Sequence, residues 1–305
     1  MATLSSKPPL SLAIHGGAGR ALTESTREAG IREALDAILA ICWDKLEGGA
    51  DARDVALLGC KALEDSVYFN AGVGSAIQAD GQVRMSAAFM DGRAERLSGV
   101  INVERVRNPI DMAFFLQSSK DRILAGEGTA LLAREMGLPL FDPIVERRLK
   151  EWLRVRLEGE LSEQADVSPG KEQEDGIGTV GVVALDESGR LVAVTSTGGR
   201  GFERIGRVSD SATAAGNYAN QHAAVSCTGI GEDIHDLALA ARIVIRATDG
   251  LSLAAAMERS IEEAERSTRR LAAIGVDFRG HFAFGKTTEL LLGAGRNRER
   301  REWAF

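Results

Sequence analysis

The chain has 305 residues, of which 44% are hydrophobic and 27% are charged, a composition typical of a globular protein with one large or two modest domains. The net charge of -7 argues against nucleic-acid binding and electrostatic membrane binding, because both need a basic surface. No segment reaches 18 consecutive apolar residues and no signal peptide is evident, so the sequence predicts a cytoplasmic protein without transmembrane helices.

The N-terminal half predicts strands and helices in turn. A strand is expected at 10–14, followed by a glycine turn in HGGAG (15–19). Apolar spacing predicts a helix over 24–49, and Asp51 is suited to cap a second helix through about Glu64. Short apolar stretches with Asp-Gly turns predict strands and hairpins over 68–103, and further helices are expected from Pro109 and Glu127. The apolar positions of the first helix are Ile31, Leu35, Ile38, Ile41 and Leu46.

The C-terminal half follows a polar segment. Residues from about 157 to 178 lack an apolar period and predict a flexible linker. After it we expect a hairpin over 179–197, strands near 208–227, helices in 233–250 and 252–275, and a final strand pair.

The predicted elements favour an α+β fold with two sheets. Each half contains strands and two amphipathic helices, which are best buried as a four-layer αββα sandwich. A doubly wound sheet is the competing layout. Cys42, Cys60 and Cys227 are scattered and are expected to be buried thiols, and the four histidines are too dispersed to predict a metal site.

The hairpin over 179–197 brings two threonines together. If its turn is DESGR, centred on Ser188, antiparallel register places Thr179 opposite Thr197. Directly opposed Cβ atoms lie about 4.5–5.5 Å apart, so the two hydroxyls could interact. A Thr–Thr pair at a hairpin mouth is also a common structural feature.

The junction between linker and hairpin indicates a chemical role for Thr179. A hydroxyl nucleophile needs a base, and an N-terminal threonine carries one in its α-amine, whose ordinary pKa is about 7.7–8.0. Thr179 would gain that amine only if the Gly178–Thr179 bond were broken. Gly178 suits this event because it has no Cβ and leaves its carbonyl open to attack.

The ordered motifs resemble the plant-type L-asparaginase and isoaspartyl peptidase family. They are HGGAG (15–19), FNAGVGSAI (69–77), MDG (90–92), RNP (107–109), GEG (126–128), GTVGVVALD (178–186), TSTGG (195–199), GRVSDS (206–211) and VSCTGIGE (225–232). The resemblance implies a single domain, residues 1–305, with the αββα fold of N-terminal-nucleophile hydrolases. It also implies self-cleavage at Gly178–Thr179 into an α chain (1–178) and a β chain (179–305).

The resemblance also implies roles for individual residues. Thr179 would be the nucleophile and Thr197 would tune it, while Thr228 and Gly229 would form an oxyanion hole and Asn70 would lie near the nucleophile. Arg207 would bind the substrate α-carboxylate, Asp210 its α-ammonium, and Gly231 would line the same pocket. No cofactor is required for the chemistry, but a structural sodium ion and a homodimer of cleaved αβ units are implied. The sodium ligands would be the backbone carbonyls of Leu63, Glu64, Ser66, Phe69, Ala71 and Val73.

Three departures concern substrate preference. Ile230 stands where many relatives have a threonine, Ser86 where they have an aspartate, and the C-terminal segment around Lys286, Thr287 and Thr288 differs from the usual pattern. The expected activity is hydrolysis of L-asparagine and β-aspartyl dipeptides. The alternatives are a glycosylasparaginase-like hydrolase, an uncleaved non-catalytic binding protein and, more distantly, a phosphate-binding protein that uses HGGAG.

Overall fold

The computed structural model describes residues 8–22, 25–161 and 178–305. Within these ranges the helices are α1 (Ser25–Glu47), α2 (Ala52–Glu64), α3 (Pro109–Phe115), α4 (Glu127–Glu135), α5 (Glu146–Leu161), α6 (Gly231–Leu237), α7 (Leu239–Thr248) and α8 (Leu253–Arg266). The strands are β1 (Ser11–Gly19), β2 (Met85–Asp91), β3 (Arg96–Val103), β4 (Ile123–Ala125), β5 (Val180–Leu185), β6 (Leu191–Thr197), β7 (Asn217–Ala219), β8 (Ala223–Gly229), β9 (Leu271–Asp277), β10 (Phe282–Lys286), β11 (Leu290–Asn297) and β12 (Arg301–Ala304).

One sheet contains strands from both sides of residue 178. Its order is β12-β11-β1-β5-β6-β2-β3-β4, and every neighbouring pair is antiparallel except β3 with β4. β1 pairs with β5 on one edge and with β11 on the other, so the two parts of the chain share backbone hydrogen bonds. The antiparallel order rules out the doubly wound alternative.

A second sheet, in the order β10-β9-β8-β7, contacts the first. Buried side chains such as Val183 on β5 and Ile274 on β9 form the core between the two sheets. Val180 and Val182 belong to a different core, on the other face of β5, because successive side chains of a strand alternate between faces. The combination of two sheets and helices expected from the sequence is confirmed.

The helices cover both sheets. α1 and α2 contact strands of the eight-stranded sheet, and α7 and α8 contact strands of the four-stranded sheet. Asp51 caps α2 as expected, because its side chain accepts a hydrogen bond from Arg53 N–H at 2.8 Å. Ile41 of α1 is 53% exposed, contrary to its expected place on the buried face, which Leu39, Cys42 and Trp43 share instead. No helix in the described ranges is long and apolar enough to cross a membrane.

Several predicted boundaries are wrong. HGGAG is not a turn, because β1 continues through Gly19 with an irregularity between His15 and Ala18. The predicted helix at 233–250 is two helices, broken where Ala238 takes a left-handed conformation with φ of 47°. The end of the segment 252–275 is strand β9, and the predicted final strand pair is followed by β12.

The predicted linker begins too early. Residues 157–161 form the last turn of α5, and residues 162–177 lie outside the described part of the chain. Side chains of α5 donate to backbone carbonyls of the loop between α2 and β2: Arg148 Nε to Gly74 O at 2.8 Å, and Trp152 Nε1 to Gln78 O at 2.9 Å. This packing against the loop explains how a polar segment forms a helix.

The hairpin register is the expected one. Val180 pairs with Ser196 and Gly181 with Thr195, and the turn lies between β5 and β6 as predicted. Continuing this register by one residue brings Thr179 opposite Thr197.

Candidate active site

A pocket of about 400 Å³ lies at the mouth of this hairpin. It brings together eight of the residues expected to form the site: Asn70, Gly178, Thr179, Thr197, Arg207, Asp210, Gly229 and Gly231. They come from the loop after α2, the residues just before β5, the ends of β6 and β8, the segment between β6 and β7, and the start of α6. Pairing of β5 with β6, and packing of both strands against β8 of the other sheet, place these residues at one point.

Thr179 is buried, with 6% of its surface exposed. Its Oγ1 lies 3.4 Å from Ser211 Oγ. The Thr197 hydroxyl, which is also buried, accepts a hydrogen bond from Gly199 N–H at 3.1 Å. The two threonines are therefore neighbours by register, but Thr197 Oγ1 is directed to the turn that follows β6.

The Thr228 hydroxyl lies beside the Gly178–Thr179 junction without a hydrogen-bond partner among the described residues. The residue, including its Oγ1 atom, is fully buried. A Cβ placed on Gly178 would lie 3.0 Å from this oxygen, so a side chain at position 178 would crowd it. Thr228 does not itself line the pocket, unlike the adjacent Gly229.

Arg207 and Asp210 form the charged wall of the pocket. Arg207 Nη1 donates to Glu203 Oε2 at 2.8 Å, while Nε and Nη2 donate to the two oxygens of Glu232 at 2.8 and 3.0 Å. Asp210 is 3% exposed, and its Oδ2 has no hydrogen-bond partner among the described residues. Burial raises the pKa of Asp210 to about 6, although the positive charge of Arg207 acts in the opposite direction.

Glu232 differs from Asp210 because it is more open to solvent. Burial alone would raise its pKa, but the hydrogen bonds and charge of Arg207 outweigh this effect and lower it to about 2. Its side chain is 50% exposed, so the pair with Arg207 lies at the surface of the pocket.

Gly231 allows Arg207 and Asp210 to approach the start of α6. A Cβ at this position would lie 2.5 Å from Arg207 Nη2 and 2.8 Å from Asp210 Oδ1. Both distances are too short for non-bonded atoms, so a larger residue would displace at least one charged group.

Asn70 connects the loop after α2 to the turn after β6. Its Nδ2 donates to Gly199 O at 2.7 Å, and its Oδ1 accepts from Ala76 N–H at 2.8 Å. With both amide atoms engaged and only 2% of the residue exposed, Asn70 holds the backbone next to Thr197.

His15 belongs to a polar chain behind the site. Its Nε2 lies 2.8 Å from Ser226 Oγ, which in turn lies 2.7 Å from Thr195 Oγ1, and all three residues are fully buried. Burial lowers the pKa of His15 to about 3, against the raising effect of a hydrogen bond with the Thr179 backbone. The imidazole is therefore neutral at ordinary pH.

The loop expected to hold sodium is compact. Val73 N–H donates to Glu64 O at 2.7 Å and closes it, and the carbonyls of Leu63 and Ser66 also accept backbone hydrogen bonds. A carbonyl oxygen has two lone pairs, so these bonds leave capacity for a cation, and the oxygen donors suit sodium. None of the six proposed ligand residues lines the pocket. The described ranges hold no group of three or more His, Cys, Asp or Glu placed to bind a metal.

Sequence reasoning missed several residues of the pocket. Ser209 lines it, Arg20, Arg270 and Glu289 form its exposed mouth, and Glu203 lies behind Arg207. The acid four residues before Arg207, and the serines that flank Asp210 in GRVSDS, were the signals available. Thr287 and Thr288 also line the pocket, whereas Lys286 ends β10.

Two departures from the family pattern lie close to the site. Ile230 lines the pocket, and Ser86 pairs with Thr197 across β2 and β6. The three cysteines are buried free thiols, as expected.

Comparison with known proteins shows the family of the chain. A family model described as Asparaginase matches residues 8–304. The chain is 51% identical to the isoaspartyl peptidase/L-asparaginase of Nostoc sp., over 93% of this chain and 90% of the relative. It is 36% identical to the plant-type L-asparaginase of Pyrococcus abyssi (92% and 94% covered) and 37% identical to the isoaspartyl peptidase of Escherichia coli (91% and 90% covered). The chain therefore belongs to the plant-type L-asparaginase and isoaspartyl peptidase family.

Proposed function

We propose that the chain is a self-cleaving amidohydrolase that hydrolyses L-asparagine and β-aspartyl (isoaspartyl) dipeptides, with Thr179 as its N-terminal nucleophile. The observation that carries the proposal is the set of groups at the Gly178–Thr179 junction: Arg207 and Asp210 line the same pocket as Thr179, and the unpartnered Thr228 Oγ1 lies beside Gly178. Buried polar atoms usually have partners, so an unpaired oxygen on Asp210 and another on Thr228 are consistent with a site that binds a polar ligand. Relatives named for both activities support the substrate class.

The charged wall suits the amino-acid end of such a substrate. Its α-ammonium would bind Asp210 Oδ2, and its α-carboxylate would bind Arg207, whose planar fork suits a carboxylate. The carboxylate would share Arg207 with Glu232, which is half-exposed, or would replace Glu232 as the partner of Arg207. The side-chain carbonyl would then lie near Thr179.

The chemistry follows the steps of nucleophilic acyl transfer. Thr179 Oγ1 attacks the side-chain carbonyl carbon while the Thr179 α-amine accepts the hydroxyl proton. Thr228 Oγ1 and Gly229 N–H would donate to the oxyanion, and the amine returns the proton to the departing ammonia or peptide amine. Water then hydrolyses the β-aspartyl ester, releasing aspartate and restoring the hydroxyl.

The same proposal covers the organisation of the chain. The layers would run in the order α1 and α2, the eight-stranded sheet, the four-stranded sheet, then α7 and α8, as one αββα domain. Cleavage after Gly178 would leave chains 1–178 and 179–305. Pairing of β1 with β5 and β11 supports their staying together, because backbone hydrogen bonds join the two products. A sodium ion in the loop 63–73, a homodimer of cleaved units and a cytoplasmic location are further parts of the proposal.

Intact mass spectrometry and assays of product release test the proposal together. We expect two fragments, with the smaller beginning at Thr179, release of ammonia from L-asparagine, and release of aspartate from a β-aspartyl dipeptide. Thr179→Ala, the matched control, should remain one chain and release neither product. Wild-type protein that stays whole and inactive after long incubation would contradict the proposal.

A glycosylasparaginase-like activity is the second candidate, because the pocket mouth is open and its exposed residues could meet a larger leaving group. Assaying a glycosylated asparagine beside the dipeptide compares the two, and a higher kcat/KM for the glycosylated substrate would favour it. The uncleaved binding protein is tested by the same intact mass.

A further inference from the structure

Self-cleavage poses a chemical question that substrate hydrolysis does not. Before the Gly178–Thr179 bond breaks, the Thr179 nitrogen is an amide and cannot accept a proton, so the first attack needs a base from elsewhere. This inference rests on the proposed function, because it concerns the step that would create the N-terminal nucleophile.

A chain of hydroxyl groups leads from Thr179 to a carboxylate. Thr179 Oγ1 lies 3.4 Å from Ser211 Oγ, Ser211 Oγ lies 3.2 Å from Ser209 Oγ, and Ser209 Oγ lies 3.2 Å from Asp210 Oδ1. All four residues are buried. These distances exceed the usual 2.5–3.0 Å of an O–H···O bond, and catalytic hydrogen bonds often shorten only as reaction proceeds. Ser209 Oγ is oriented to donate to both Ser211 Oγ and Asp210 Oδ1, but its single hydrogen can serve only one of them at a time. Because a hydroxyl hydrogen rotates, Ser209 can donate to Asp210 and accept from Ser211, which in turn accepts from Thr179. In that arrangement the chain can carry a proton from Thr179 to Asp210.

The Asp210 carboxylate at the end of this chain of hydroxyl groups is suited to act as a base. Burial raises the pKa of Asp210 to about 6, while Arg207, His235 and the Ser209 hydrogen bond lower it. A pKa closer to neutrality makes a carboxylate a better proton acceptor than one at its ordinary value. The charged and titratable groups that face it are Arg207 from its own loop, His235 from α6 and Cys227 from β8, with Glu203 and Glu232 paired to Arg207.

We propose that Ser211 and Ser209 relay the Thr179 hydroxyl proton to Asp210 during self-cleavage, so that Asp210 acts as the base before a free α-amine exists. Asp210 would thus serve two successive steps: proton acceptor in the uncleaved chain and partner of the substrate α-ammonium in the cleaved chain. Ser211 touches the reacting hydroxyl, and Ser209 acts through Ser211 and Asp210.

The proton balance is simple. Thr179 Oγ1 forms a bond to the Gly178 carbonyl carbon, and its proton passes through Ser211 and Ser209 to Asp210. When the bond between that carbon and the Thr179 nitrogen breaks, the proton returns by the same hydroxyls to the nitrogen, giving an ester and a free amine. Water then hydrolyses the ester, leaving the Gly178 carboxylate and restoring the Thr179 hydroxyl.

His15 is the other ionisable group associated with Thr179. Its Nε2 lies 2.8 Å from Ser226 Oγ, and its interaction with Thr179 is through the backbone. With a pKa lowered to about 3 by burial, it is a much weaker base than Asp210. The geometry therefore favours Asp210.

The test follows cleavage of chains made by cell-free synthesis in the cold and then shifted to buffers of defined pH. Fragments are quantified by intact mass. General-base contributions are typically about 10²–10⁴-fold, so Ser209→Ala, Ser211→Ala and Asp210→Asn should each slow cleavage at least about tenfold. Ser209→Thr, which keeps the hydroxyl, should cleave faster than Ser209→Ala. Thr213→Val is the matched control and should cleave at the wild-type rate, because its hydroxyl donates to Asp210 O, not to the carboxylate.

The pH profile separates a relay from a packing effect. In the wild type, cleavage should accelerate as pH rises through the range where Asp210 ionises, and then level off. In Ser209→Ala this inflection should be lost, whereas a packing defect would lower the rate equally at every pH. Circular dichroism and thermal unfolding establish that each variant is folded.

Two results would overturn the relay. If the wild type cleaves while folded Ser209→Ala and Asp210→Asn keep its rate and pH profile, the relay is wrong and the proposed function stands. If the wild type never cleaves under any condition, both proposals fall. In Ser209→Ala, kcat per cleaved chain should also fall by a smaller factor than the rate of self-cleavage. The cleaved enzyme has the Thr179 α-amine as its base and does not need the relay.

Discussion

Arg207 Nη1 donates to Glu203 Oε2 over 2.8 Å, and Glu203 is only 2% exposed. Glu203 also accepts hydrogen bonds from Gln78 Nε2 at 2.7 Å and Arg200 N–H at 3.0 Å. A buried carboxylate bonded on both oxygens is a fixed point, so it holds the guanidinium at the pocket wall.

Glu203→Gln should therefore loosen Arg207. The neutral amide removes the charge that opposes Arg207 and brings an N–H group to a site surrounded by donors. We expect KM for L-asparagine to rise about tenfold or more with a smaller change in kcat, because substrate positioning suffers more than the chemistry. Steady-state kinetics measures this, with intact mass confirming equal cleavage. An unchanged KM in a folded variant would show that Glu203 does not position Arg207.

Gly231→Ala should weaken substrate binding by direct crowding. Its Cβ would lie 2.5 Å from Arg207 Nη2 and 2.8 Å from Asp210 Oδ1, so the charged wall must shift. A rise in KM of about tenfold or more is expected, measured against Gly128→Ala. Gly128 lies in α4, and its nearest neighbour to a new Cβ is 3.9 Å away, so this control should behave as wild type. Equal kinetics for both variants would refute the crowding argument.

Thr228→Val separates activity from stability. The Thr228 hydroxyl is buried without a partner among the described residues, so replacing it by a methyl group should cost little stability. If it donates to the oxyanion, kcat should fall about 10²–10³-fold. Thr195→Val is the contrasting variant, because Thr195 Oγ1 lies 2.7 Å from Ser226 Oγ and its loss should lower the melting temperature. Thermal unfolding and steady-state kinetics of both variants measure these effects. Full activity in Thr228→Val would show that the Thr228 hydroxyl does not stabilise the oxyanion.

Arg20 offers a test of leaving-group recognition. It is an exposed residue at the pocket mouth, where a dipeptide substrate would present the carboxylate of its second residue. Arg20→Gln should raise KM for a β-aspartyl dipeptide a few-fold, with the effect shrinking at high salt, because exposed ion pairs are weak and screened. L-Asparagine is the internal control, since ammonia carries no carboxylate. A parallel change for both substrates would mean that Arg20 acts on the site generally.

The lowered pKa of buried His15 predicts that this residue contributes to stability in a pH-dependent way. Burial lowers its pKa from 6.5 to about 3, so the unfolded state binds the proton first. The stability that neutral His15 contributes is full above about pH 6.5 and is lost as pH falls toward 3. The stability of wild type relative to His15→Gln should therefore decline between pH 7 and 4, by up to about 1.4 kcal/mol per pH unit. Denaturant unfolding of both proteins at several pH values measures this difference, and a constant difference would contradict it.

Much of the fold could be predicted from the sequence, because the local signals for helices, strands and turns agree with the tertiary structure. The Asp51 cap, the hairpin over 179–197 and the helices from Pro109 and Glu127 all follow from capping, turn and periodicity signals. The failures occurred where long-range contacts override those signals. α5 forms from a polar segment because Arg148 and Trp152 donate to backbone carbonyls of a distant loop. HGGAG is extended because β1 is held between β5 and β11.

The amino-acid sequence is enough to identify the candidate nucleophile, its register with Thr197 and the family motifs that mark Arg207, Asp210 and Thr228. These depend on residue type and short spacing, which the chain states directly. The folded chain is needed to see that Glu203 bonds Arg207, that Gly231 permits the approach of the charged wall, and that the Ser211 and Ser209 hydroxyls lie between Thr179 and Asp210. Two of these relationships, Gly231 with Arg207 and Ser211 with Thr179, join residues from different parts of the chain at distances of a few ångströms. They form only once the chain has folded, whereas spacing alone signalled Glu203 and the serines beside Asp210 without showing that they belong to the site.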